Sequence, residues 1–213
     1  MIHSALRPKM WGYNHGKRWL KKGTPSAQVI LDLYPEKKKT LREVRHSIGS
    51  PEGSKGYRLA QTIWELKARG LLSGTRRGMY WLTDSGRWIA IACKLDLSFL
   101  QTCVLACACC VQVRYAETGK EGYYMISYFE RLLGEYYSKK YLPVVISTLN
   151  RKGFTSRYRK RWIRVYPDKL DEMMSRYGKY FEELESWLYE LKESEPEIFK
   201  EALEGFSLDD DSD

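Results

Sequence analysis

The stretch Leu66-Lys67-Ala68-Arg69-Gly70-Leu71-Leu72, the tip Ser73-Gly74-Thr75-Arg76-Arg77-Gly78 and the run Met79-Tyr80-Trp81-Leu82 together decide the fold. Gly70 stands where a helix should stop, because glycine enters the left-handed conformation of a helix end without a Cβ clash. Two short β-rich runs around a glycine-containing tip predict a hairpin. Upstream, Leu59, Ile63 and Leu66 recur at helical spacing and predict a helix over about residues 57–69. Residues 49–56 are rich in Gly, Ser and Pro and read as a turn. Thr40-Leu41-Arg42-Glu43 is a Thr-x-x-Glu capping box that opens a helix with Leu41, Val44 and Ile48 on one face. A helix over residues 26–34 offers Val29, Ile30 and Leu33 to the same core. The order is helix, helix, turn, helix, hairpin.

The pattern recurs. An offset of 83 residues lays Leu59, Ile63, Leu66, Gly70 and Leu71 on Leu142, Ile146, Leu149, Gly153 and Phe154, and Arg76-Arg77 on Arg159-Lys160. With a loop two residues shorter in the second copy, Leu41, Val44 and Ile48 match Ile126, Phe129 and Leu133. Pro143 is tolerated only in a first helical turn, so the third helix of the second copy should start near Leu142. Its first helix should come from the Cys-rich segment, residues 103–115.

Charge is divided along the 213 residues. Residues 1–167 carry 31 Lys or Arg against 11 Asp or Glu, and residues 168–213 carry five against sixteen. A basic body of this kind points first to nucleic acid, and the acidic remainder reads as a solvating tail. Five cysteines, four of them within residues 103–110, do not form a secreted disulfide framework. The opening 23 residues lack an apolar run, so no secretion signal is expected. The uncharged run at residues 97–113 has 17 residues, short of the roughly 20 a bilayer requires. It reads as a buried helix in a cytoplasmic protein, with no membrane partner.

The residues 66–72 and 80–86, ending in Thr83-Asp84-Ser85-Gly86, resemble the recognition helix and wing of winged helix-turn-helix regulators of the MarR and PadR type. The resemblance covers residues 24–93 and, less closely, residues 123–167, where Tyr166-Pro167 replaces Thr83-Asp84. It implies a mainly α fold with small β-hairpin wings, an α+β arrangement of tandem units plus a long C-terminal helix. The expected divisions are a basic arm at 1–23, units at 24–93 and 94–167, a dimerisation helix at 168–193, and a short helix with an acidic end at 194–213.

It also implies that the third helix of each unit enters the major groove of double-stranded DNA while the wing touches the backbone. Carried onto this chain, the groove-facing candidates are Lys55, Tyr57, Arg58, Gln61 and Thr62, with Glu65 beside them. Arg suits a guanine edge and Gln an adenine edge. The wing candidates are Arg76, Arg77, Arg157, Arg159, Lys160, Arg161 and Arg164. No acid lies between Glu135 and Asp168, and clustered guanidiniums repel one another unless a polyanion neutralises them. The offset turns Gln61 and Thr62 into Val144 and Val145, so the first unit should read sequence and the second should hold phosphates. A solvated amphipathic helix is the plain alternative for the first recognition helix, and a packed or disordered terminus is the alternative for the basic arm.

Residues 168–193 repeat apolar positions every seven residues: Leu170, Tyr177, Leu184 and Leu191, then Met173, Tyr180 and Trp187, then Met174, Phe181 and Leu188. The reading is a helix that pairs with a second copy, making a homodimer, through Leu170, Met173, Tyr177, Tyr180, Leu184, Trp187 and Leu191. Its alternative is a helix that folds back on its own chain. Glu182, Glu183, Glu185 and Glu190 are read as lying outside the apolar face. Cys103, Cys107 and Cys110 share a helix face, read as core packing, with a redox or metal switch as alternatives. No phosphate loop, zinc-hydrolase pattern or carboxylate cluster is present in the basic body, so neither enzyme activity nor a cofactor is expected. The function expected is a sequence-specific transcriptional regulator. A replication initiator or genome-organising protein, and a tandem winged-helix scaffold for protein partners, are the competing readings.

Overall fold

The computed structural model describes residues 20, 23–49, 54–75, 78–117, 124–133, 141–158 and 162–194, with the side chains of 54–57, 124–127, 133, 158 and 162 left aside. The chain is mainly helical with small antiparallel sheets. It divides into two compact units, the first reaching Ser98 and the second starting at Phe99.

The first unit runs α1 (Pro25–Leu33), β1 (Lys39–Thr40), α2 (Leu41–Ser47), α3 (Ser54–Ala68), β2 (Leu72–Gly74), β3 (Met79–Leu82) and α4 (Asp84–Leu95). Thr24 caps α1, its hydroxyl accepting from the Ala27 N–H at 3.3 Å. The capping box at α2 closes in both directions. The Glu43 N–H donates to Thr40 Oγ1 at 3.2 Å and the Thr40 N–H to Glu43 Oε2 at 2.6 Å. The Glu43 carboxyl is held below its ordinary range, first by that backbone bond. Ala27, Val29, Ile30, Leu33, Val44, Leu59, Ile63, Leu66, Leu71 and Leu82 form the core. The sheet order is β1-β3-β2.

The second unit runs α5 (Phe99–Glu117), β4 (Tyr124–Met125), α6 (Ile126–Leu133), α7 (Leu142–Arg151), β5 (Thr155–Tyr158), β6 (Trp162–Val165) and α8 (Pro167–Ser194). Its sheet order is β4-β6-β5. Register repeats as well as order: Leu72 pairs with Leu82 and Thr155 with Val165; Lys39 pairs with Tyr80 and Tyr124 with Ile163. The hairpins keep the offset of 83, and the edge strands keep 85, as the shorter loop requires. Gly70 and Gly153 end α3 and α7 at φ 72° and 74°. The next N–H folds back in each, Leu71 onto the Leu66 carbonyl at 3.0 Å and Phe154 onto the Leu149 carbonyl at 2.9 Å. Pro143 sits in the first turn of α7, where its missing N–H removes no intrahelical bond.

Two expected divisions change. The first unit does not stop at 93: α4 continues to Leu95 and buries Trp88, Ile89, Ala90, Ile91 and Ala92, packing against α1. The helix read as a dimerisation element belongs to the second unit and packs along α5. Met173, Tyr177, Phe181, Leu184, Leu188 and Leu191 are buried within the single chain. Of the expected seam, Met173, Tyr177, Leu184 and Leu191 are therefore covered in place, and Leu170, Tyr180 and Trp187 are half-buried, Trp187 with its ring 6.5 Å from Phe99. The physical reason is α5. Every residue from Phe99 to Gln112 is buried, so this helix needs apolar cover on several sides and the wide face of α8 supplies it.

Glu185 lies inside this contact, not outside the apolar face. Its side chain is 7% exposed. Arg114 of α5 grips it with two bonds, Nη1 to Oε2 at 2.7 Å and Nη2 to Oε1 at 2.6 Å, and the Tyr128 hydroxyl of α6 donates to Oε1 at 2.8 Å. Burial, then the neighbouring Cys107, Tyr189 and Glu185, push the Tyr128 hydroxyl well above its ordinary range. Gln112 ties α5 to the sheet: its amide donates to the Val165 carbonyl at 3.0 Å and its oxygen accepts from the Val165 N–H at 2.8 Å.

Candidate nucleic-acid interface

The third helix of the first unit is amphipathic in the required sense. Leu59, Ile63 and Leu66 point inward, while Arg58 and Gln61 are exposed and Thr62 and Glu65 are half-buried. Lys55 and Tyr57 lie on α3, but their side chains fall outside the described residues. Gln61 Nε2 donates to Glu65 Oε1 at 3.1 Å. One N–H of the amide is thereby fixed, while the second N–H and the carbonyl oxygen remain for a base edge. Thr62 is less suited than its type suggests. Its hydroxyl donates to the Arg58 carbonyl at 2.9 Å, a bond back into its own helix.

The hairpin follows α3 directly. The Thr75 N–H donates to the Met79 carbonyl at 2.9 Å and the Gly78 N–H to the Thr75 carbonyl at 3.1 Å, closing the ladder on both sides of positions 76 and 77. Arg76 and Arg77 themselves lie outside the described residues. Two lysines not singled out by sequence flank the strand: Lys67 Nζ stands 5.7 Å from the Tyr80 ring centre and Lys38 Nζ 5.4 Å from that of Trp81. These are cation–π distances.

The second unit offers a different surface. Val145 is 5% exposed and belongs to the core, whereas Val144 is 46% exposed. The valine pair therefore splits into one packing residue and one apolar surface residue. Arg157 is exposed, and Arg164 is half-buried. Arg157 pairs with Ile163 and Arg164 with Ser156, so the two arginines leave opposite faces of the hairpin and are not brought together. Arg159, Lys160 and Arg161 lie outside the described residues, as do residues 1–19 of the basic arm and residues 195–213.

The most exposed large apolar side chain among the described residues is Trp64, at 69%. It sits on the outer face of α3, one turn after Gln61, and sequence reasoning passed over it. The helical wheel contained the signal, since position 64 falls on the side opposite Leu59, Ile63 and Leu66.

The cysteines are all buried thiols, and no cluster of three metal-ligating side chains forms among the described residues. Burial pushes Cys93 up to about 11 and Cys110 to about 12, and lifts Cys103, Cys107 and Cys109 well above the ordinary thiol range. Thiols held in the protonated form are poor nucleophiles and poor ligands. Helix α5 is long and apolar enough to cross a membrane, yet most of it is buried inside the protein. No protein-family profile, no curated protein and no solved structure matches this chain.

Proposed function

We propose that this chain is a sequence-specific, double-stranded-DNA-binding transcriptional regulator built from two winged helix-turn-helix units. The observation that carries the reading is the outer face of α3. It presents Arg58 and an oriented Gln61 next to a hairpin whose tip holds Arg76 and Arg77 in sequence. The order helix, strand, helix, helix, hairpin, with the first strand hydrogen-bonded to the last, supports the winged-helix resemblance in both units. The excess of base over acid in residues 1–167 supports an anionic partner. In this reading α3 reads base edges, both hairpins hold phosphates, and the regulator works in the cytoplasm. Most of the α8 face is used within the chain, so a homodimer of this regulator would pair through what the chain leaves exposed.

The test separates the two roles. Arg58→Ala with Gln61→Ala should flatten the preference for a selected site over random duplex. Arg159→Ala, Lys160→Ala and Arg161→Ala together should weaken every duplex alike. Loss of sequence preference from the hairpin variant, with an unchanged preference in the α3 variant, would overturn this division of labour.

A further inference from the structure

Trp64 has no role in the fold. Its ring is 69% exposed, and its neighbours along the helix surface are Ala60, Gln61, Lys67 and Ala68, all exposed. The two alanines, four residues to either side, are too short to cover an indole. Trp88 is 4% exposed, and Trp81 and Trp187 are half-buried, whereas Trp64 is bare beside two alanines, an amide and a lysine. On the same side of α3 as Trp64 stand Gln61 and Lys67, both exposed, while the exposed Arg58 lies about a third of a turn around the helix. An apolar plate with an amide on one flank and an ammonium group on the other suits a partner that is anionic at its edges and apolar at its centre. The major groove of DNA has that character, with phosphates along its rims and thymine C5-methyl groups on its floor.

We infer that Trp64 is a specificity-determining residue that selects thymine by covering its C5-methyl group, at the base pair next to the one read by Gln61. The inference rests on the DNA-binding reading of α3 and adds the base that this position chooses. Gln61 and Trp64 are three residues apart, so they stand side by side along the groove and address neighbouring base pairs. The second unit lacks the device. The offset of 83 places Ser147 at the equivalent position and Val144 at that of Gln61, so thymine selection of this kind belongs to the first unit alone.

The experiment uses the full chain. A preferred site is selected from random duplexes, and each thymine in it is replaced in turn by deoxyuridine, which removes only the C5-methyl group. Covering one methyl corresponds to about a four-fold change in affinity. The wild-type chain should lose about that factor at one thymine and nothing at the others. Trp64→Ala should bind the site more weakly and be indifferent to the same replacement, while Trp64→Phe should keep part of the discrimination. Both variants replace an exposed side chain and should melt like wild type. A wild-type chain indifferent to deoxyuridine everywhere, or a Trp64→Ala chain that keeps the full penalty, would overturn the inference and leave DNA binding standing. Failure of the wild type to bind any duplex would instead remove the underlying reading. A Trp64→Ala chain that changes oligomeric state would assign the ring to a contact between copies, which also overturns the inference.

Discussion

Removing Arg114 should damage the second unit more than removing Glu185, although the two form one pair. The asymmetry follows from what each deletion leaves behind. Glu185 is 7% exposed and receives three hydrogen bonds, two from Arg114 and one from Tyr128; the Arg114 side chain is 54% exposed. Breaking a fully buried pair costs about 3–5 kcal/mol because a charge is stranded. Half of that guanidinium already meets water, so screening lowers the figure, and about 2–3 kcal/mol is expected for Arg114→Ala. Glu185→Leu removes the buried charge itself. The guanidinium left behind rehydrates, the Tyr128 hydroxyl loses one acceptor at about 1 kcal/mol, and the leucine adds apolar contact with α5. The net cost should stay within about 1 kcal/mol. Native-state hydrogen exchange at α5 amides reads this directly, because it reports the opening of the second unit without assuming that both units unfold together. Exchange in Arg114→Ala should be at least about five-fold faster than in Glu185→Leu. Equal rates, or a faster Glu185→Leu, would refute the argument that burial of the carboxylate dominates the pair.

Two further predictions rest on other parts of the chain. The folded thiols are held protonated above the range where unfolded cysteine ionises, so their contribution to stability is complete below about pH 8.5 and is lost as pH rises toward the folded values near 11 and 12. Native protein should resist alkylation at pH 8 until denaturant is added, and Cys109→Ala should flatten the alkaline fall in the urea midpoint; rapid native labelling of Cys109 would contradict its burial. Gly86 packs the first turn of α4 onto the backbone, where an added Cβ would lie 2.1 Å from the Leu71 carbonyl oxygen. Gly86→Ala should cost about 1–3 kcal/mol by overpacking, measured as a lower thermal midpoint, and an unchanged midpoint would show that α4 moves freely.

Much of the architecture was legible because it is local. The capping box at Thr40, the helix stop at Gly70, the hairpin around residues 75–78 and the late start of α7 at Pro143 each follow from a few neighbouring residues. The offset between copies, including the two-residue difference upstream, carried the strand register of one sheet onto the other. Strands β1 and β4, at two residues each, are too short to show a period of two. Helix α4 was missed because Trp88–Ala92 is apolar without a stripe, so periodicity had nothing to grip. The heptads of α8 announced a wide apolar face, but a repeat cannot say whether the cover comes from a second copy or from the same chain. Glu185 escaped for the same reason: its type argues for solvent, and it takes Arg114, 71 positions away, together with Tyr128 to make its burial tolerable. At the candidate interface, Arg58 and Gln61 follow from chemistry, and the structure leaves both exposed. Trp64 is legible from its place on the wheel but not from its type, because indole carries a single N–H and no paired hydrogen-bonding edge.

The dependence of duplex affinity on salt tests the phosphate-binding claim most directly. Nine lysines and arginines stand among the candidates on α3 and the two hairpins. Contact between about half of them and phosphates predicts a log–log slope of about −4 or steeper, an affinity loss of ~10²-fold or more between 50 and 200 mM monovalent salt. A binding constant that stays flat across that range would mean that these cations face no polyanion.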